Sequence, residues 1–120
     1  MSTPAKPARI ILEMGTGNDL HGGDYTKAAV RAVQDAIHHS SLSLIRSLGL
    51  DSRTMLVEVT IGVQRPELVD ADEVKAALPR GQVSVCVVKG GLDVPDAASG
   101  DLAVIASAAI VVRLDFPLAA

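Results

Sequence analysis

The sequence predicts an α+β fold: a single two-layer domain in the order β-α-β-α-β-β, one sheet with a long helix packed on one face. Three observations carry that prediction. Segments whose apolar residues alternate are interleaved with segments whose apolar residues recur at about 3.6. A chain of 120 residues can bury a core without disulfides or metal. No repeat, linker or low-complexity stretch divides it, and helices gathered on one side of a sheet make a stable two-layer solution.

Residues 1–8 hold two prolines and no period, and are expected to form a flexible tail before a domain over residues 9–120. The run RIILEM, residues 9–14, reads as a short first strand. Asp24 is placed to cap the helix that follows. Ala29, Val33, Ile37, Leu44 and Leu48 recur on one helical stripe, which Val30, Ala36 and Ile45 widen. Gly49 is its natural stop. About 24 residues then give a helix about 36 Å long.

The stretch TMLVEVTIGV, residues 54–63, alternates: Met55, Val57, Val59, Ile61 and Val63 face one way, Glu58, Thr60 and Gly62 the other. A short helix opens at DADE, where Asp70 and Glu73 have capping-box spacing, and closes at LPRG. QVSVCVVK, residues 82–89, is a third strand with Val83, Val85 and Val87 on one face. After the turn-rich GGLDVPDAASGD, residues 102–114 form the last strand, with Leu102, Val104, Ala106, Ala108, Ile110 and Val112 on one side. Cys86, Val88, Ile105, Ala109 and Val111 make the opposite faces of these two strands apolar as well. One helix layer cannot cover both sides, so the open face is expected to be a subunit interface.

Composition narrows the function. Apolar residues make up 48% of the chain, yet only Tyr25 and Phe116 are aromatic, so aliphatic side chains must build the core. A net charge of −3 without a Lys/Arg cluster argues against nucleic acid or an anionic membrane as partner. No apolar run approaches the 18 residues or so of a membrane span, and MSTPAKPAR lacks the apolar stretch of a signal peptide. The single cysteine suits a reducing compartment. The expectation is a cytoplasmic protein, with Cys86 a buried, unreactive residue between valines.

The segment EMGTGNDLHGGDYTK, between the first strand and the helix, concentrates the unusual chemistry. A dinucleotide fingerprint from Gly15 and Gly17 needs glycine at 20, where Leu20 stands. A Walker A pattern from Gly17 and Gly22 needs lysine where Gly23 stands. What remains is a glycine-rich approach to a helix N-terminus, able to offer amides to an electron-rich ligand. On that reading Gly15, Thr16, Gly17 and Asn18 hold a ligand's carbonyls, and Gly15, Gly17 or Gly22 takes positive φ. Glu13, His21 and Asp24 are the acid–base candidates. The alternative is that these residues only turn the chain and cap the helix. A metal site is not expected, because His21 would stand alone among oxygen ligands, and no cofactor is called for. Arg65, beside Glu67 at the exit of the second strand, could clamp a carbonyl or carboxylate, or simply pair with Glu67. Lys89 before Gly90-Gly91 is an active-site amine or a rim lysine.

Read together, EMGTGNDLHGGDYTKAAVRAVQDAI, IGVQRPELVD and VVKGGLDVP resemble a family of small conserved bacterial proteins of unassigned activity, over roughly residues 9–112. More distantly, GTGNDLHGGDYTKAA is similar to the opening of each repeat of the cyanuric acid hydrolase and barbiturase family, ring-opening amidohydrolases built from three related units. That resemblance implies a homo-oligomer, a trimer or a multiple of one, with a site at the subunit boundary for a small polar molecule such as a cyclic amide or ureide. It sets Lys27 at the position of a substrate-binding arginine and makes Ser107 a candidate for the serine. The family's early loop lysine has no counterpart in Met14-Gly15-Thr16. The competing function is a non-catalytic assembly or interaction protein.

Overall fold

The computed structural model describes residues 7–38, 54–78 and 81–114. The elements are β1 (Arg9–Asp19), α1 (Tyr25–His38), β2 (Leu56–Val63), a 3-10 turn (Pro66–Leu68), α2 (Ala71–Ala76), β3 (Gln82–Lys89), β4 (Leu92–Asp96) and β5 (Asp101–Arg113). The α+β class holds, as one mixed sheet with both helices on one side. The expected run of the long helix on to Leu44, Leu48 and Gly49 lies outside the described residues, as do the tail through Lys6, the stop at Pro79-Arg80, and Phe116.

Two boundaries differ from the sequence reading. β1 runs to Asp19 rather than Met14, so Gly15, Thr16, Gly17 and Asn18 are strand, not loop. The reason is packing. A Cβ at Gly15 would stand 2.4 Å from the Ala36 nitrogen, and one at Gly17 2.2 Å from the Ala32 nitrogen. Four helical residues rise about 6 Å and two strand residues about 6.6 Å. The Gly-x-Gly of β1 therefore keeps step with Ala28, Ala32 and Ala36 of α1, all fully buried. Backbone lies on backbone there.

The second difference is β4, a fifth strand inside the stretch that reads as turn. β5 is central: β1 pairs antiparallel along one side, while β2 and β4 share the other. β2 pairs with residues 107–113 of β5 and then leaves, and β4 takes up the vacated lane against residues 101–105. β3, parallel to β2, reaches that lane through Gly90-Gly91. Gly91 has φ +63 and would bring a Cβ 2.1 Å from the Ile105 carbonyl oxygen, so only glycine makes the crossing. The Gln64 side-chain amide donates to both glycine carbonyls at 3.1 Å and fastens it. Pro95 is tolerated because β4 is paired on one side only.

The core is aliphatic, with Val33, Val59, Ile61, Val104, Ile110 and Val112 nearly inaccessible between α1 and the sheet. Asp70 caps α2 through the amides of Asp72 and Glu73 at 3.0 and 3.2 Å. The faces of β2, β3 and β5 alternate as expected. The open face is ordered in cross-strand rows: Leu12–Val111–Glu58–Ser84, Met14–Ala109–Thr60–Cys86, and Thr16–Ser107–Gly62–Val88. Cys86 is exposed, contrary to expectation. It stands on an edge strand and in the uncovered face, where neighbouring valines do not bury it.

Candidate functional site

Among the described residues, an open depression of about 630 Å³ lies on the uncovered face. Its floor is made by small side chains. Gly62 and Ala109 leave a dip in the sheet, while Met14 and Val88 stand on either side. Thr16 and Ser107 are direct cross-strand partners on this face, a pairing that sets Cβ atoms about 5 Å apart. Thr60 is diagonal to Ser107, beside Ala109. Three hydroxyls, each a donor and an acceptor, thus converge on an apolar floor. Thr60 was missed in the sequence because it alternates out of an apolar face and looks like an ordinary solvated position. Its register against β5 is what brings it in.

Lys89 borders the depression but falls on the register of Val83, Val85 and Val87, and its charge helps hold the Glu67 carboxyl below its ordinary value. The first cause of that lowering is the residue's own backbone amide, followed by Arg65. Arg65 donates to Glu67 at 3.2 Å, with both side chains exposed.

The glycine segment is engaged within the chain. The Thr16 amide donates to Asp35 at 2.9 Å, and Arg31 donates to the Asn18 carbonyl at 2.7 Å. The Gly22 amide donates to Asp101 at 2.8 Å and the Gly23 amide to the Leu102 carbonyl at 3.1 Å. Gly22 has φ +92, while neither Gly15 nor Gly17 has positive φ. Asp24 caps α1, accepting from the Lys27 amide at 3.0 Å, and its own amide donates to buried Asp19 at 2.9 Å. Two carboxylates thus occupy the positive end of the helix. Lys27 and Arg31 lie 4.0 and 3.7 Å from Asp19. With Asp24, Gln34 and Glu73 they line a smaller hollow of about 260 Å³.

The acid–base candidates are dispersed. Glu13 is half-buried on the helix side of β1. His21 is exposed and lies 2.8 Å from Asp101, whose carboxyl is lowered to about 2, first by the Gly22 amide and then by His21. Among the described residues, no three His, Cys, Asp or Glu side chains are grouped to hold a metal. A further polar contact lies under the start of α1, where the buried Tyr25 hydroxyl donates to Asp93 at 2.5 Å. Burial, then that bond, raises the phenol above its ordinary value. The other Asp93 oxygen is buried without a hydrogen-bond partner. The sequence carried no signal for this pair, since 68 residues separate its members.

The depression therefore gathers Gly15, Thr16, Lys89 and Ser107 of the sequence candidates at its border. Asp24 and Lys27 lie at the helix start, and Glu13, Gly17, Asn18, His21 and Arg65 lie elsewhere.

No described helix is long and apolar enough to cross a membrane. No curated protein matches the chain. A crystal structure described as an FtsZ-like protein of unknown function, from Nostoc punctiforme PCC 73102, is similar to it throughout. The two are 37% identical with a TM-score of 0.80, covering 92% of this chain and 98% of that one. The model of a family of conserved hypothetical proteins, Lin0512_fam, matches residues 9–112, and the chain belongs to that family.

Proposed function

We propose that the protein is a homo-oligomeric small-molecule-binding protein whose ligand lies in the open-face depression, at a subunit boundary. One observation carries the reading: Thr16, Thr60 and Ser107 line one depression together with the apolar Met14, Val88, Ala108 and Ala109. Hydroxyl donors on an apolar floor suit a flat, carbonyl-bearing molecule, with aliphatic contacts supplying affinity and hydroxyls supplying orientation. A cyclic amide or ureide has that character. An amidohydrolase-like activity would use Ser107 as the attacking hydroxyl, with Lys89 and Asp35 the titratable groups of this chain that line the same depression. Protein purified under native conditions is expected to release a small polar compound on denaturation, detected by mass spectrometry. Ser107→Ala with Thr16→Val should lose it while remaining folded. Wild-type protein that carries nothing, and is not stabilised by any member of a cyclic-amide panel, sinks the reading.

A second reading has its own support. Gly15 and Gly17 are consumed by close packing against α1, and the amides of Thr16, Gly22 and Gly23 are bonded internally. That favours a structural role for the glycine-rich segment within a non-catalytic assembly protein.

A further inference from the structure

We infer that the open face of the sheet is where copies of this chain meet, and that the neighbour's face, not a sheet edge, closes the depression. The inference deepens the site reading above and rests on it only for the enclosure of a ligand. Of the seven large apolar side chains that are exposed among the described residues, five stand on this face. They are Leu12, Met14, Val88, Leu92 and Val94, from 43% to 70% exposed. The two on β4 continue the patch in register, Leu92 beside Ile105 and Val94 beside Ala103. The patch is contiguous.

Charge and area identify the occupant. From the row of Leu12 to that of Asn18, Glu58 is the one charged position, and Arg113 donates to it at 2.5 Å. A patch whose one charged strand position is paired within the chain offers little complement to a nucleic acid, an anionic surface or a charged partner, but it matches itself. Strands about 4.8 Å apart and rows about 6.6 Å apart give a patch on the order of 500 Å² in projection. With side chains standing out from it, that is comparable with the ~800 Å² per partner of a stable interface. One competing mode is strand addition at the β1 edge, and two groups of that edge are already engaged within the chain. The outward amide of Thr16 and carbonyl of Asn18 are held by Asp35 and Arg31 of its own helix.

Light scattering at micromolar concentration, with labelling of the single cysteine, tests this. Cys86 lies in the patch and is exposed in the isolated chain. A dimer, trimer or larger closed assembly is expected, with Cys86 labelling at least tenfold slower than in denaturant. Met14→Glu with Val94→Glu should give a folded monomer, judged by circular dichroism and cooperative melting, with rapid labelling. Arg31→Ala should leave the assembly intact. A wild-type monomer overturns the inference, as does an assembly whose Cys86 labels as fast as the free thiol. An assembly that survives the double substitution but dissociates in Arg31→Ala assigns the contact to the edge and overturns it too. Native mass spectrometry of the same samples separates the two ideas: a monomer that retains ligand overturns the interface alone, and an assembly without ligand overturns the site alone.

Discussion

Gly17 shows why a glycine that looks functional can be structural. Any side chain there meets the Ala32 nitrogen and the Ala28 carbonyl oxygen, which are helix backbone and cannot rotate away. Gly17→Ala should therefore destabilise by roughly 1–3 kcal/mol or more, the range for overpacking. Ala32→Gly should not rescue it, because no atom of the Ala32 side chain is in the clash. Urea unfolding of the single and double variants decides this, and full rescue would mean that the contact is misread. Asp101 and Tyr25 make complementary pH predictions. The folded Asp101 carboxyl is lowered to about 2 from an ordinary 3.8. Its contribution to stability is therefore complete above about pH 4 and lost as pH falls toward 2. Carboxyl NMR should find that titration, and His21→Ala should move it up only in part, since the Gly22 amide remains. Tyr25 is the only tyrosine in the chain, so phenolate absorbance reports it alone. It should ionise above 10, and whatever stability it adds is lost as pH rises through that range. Tyr25→Phe leaves half-buried Asp93 without the phenol donor and should cost about 1–3 kcal/mol.

At the scale of elements, the pairing of β1 with α1 does two things at once. Glycines draw the helix in until Asp35 and Arg31 overhang the strand's outer edge, and these side chains then satisfy the Thr16 amide and the Asn18 carbonyl on it. Asp35→Ala should speed hydrogen exchange at the Thr16 amide, measured residue by residue, with little change at the core amides of β5. An unchanged Thr16 rate would show that the amide is protected by something other than the carboxylate. This arrangement was half legible. The spacing Gly15–Gly17 and the spacing Ala28–Ala32–Ala36 are both plain in the sequence, but each alone suggests a turn or an ordinary helix. Their meaning comes from the equal rise of two strand residues and four helix residues, which matters only once the two are known to be antiparallel neighbours.

At the scale of the whole molecule, helices cover one face of the sheet and leave the other uncovered within the chain. The alternation in residues 54–63, 82–89 and 102–113 identified both faces correctly, including the apolar character of the uncovered one. Cys86 was misplaced because its local neighbours are valines, whereas its exposure depends on which face of the assembled sheet it joins. The hydroxyl cluster was equally out of reach. Thr16, Thr60 and Ser107 come from three strands, and only the register of β5 with both neighbours brings them together.

The sequence by itself determined the class of the fold, where both helices start, three of the five described strands, the two caps at Asp24 and Asp70, and the aliphatic nature of the core. These follow from periodicity and local hydrogen bonding, which act over a few residues. The tertiary structure alone decided where β1 ends, that β4 is a strand, and which polar groups share a site. Each of those depends on a contact between segments far apart in the chain: Gly17 on Ala32, Gly91 on Ile105, Ser107 on Thr16. Close approach and strand register are properties of the pair, and neither partner's sequence states them.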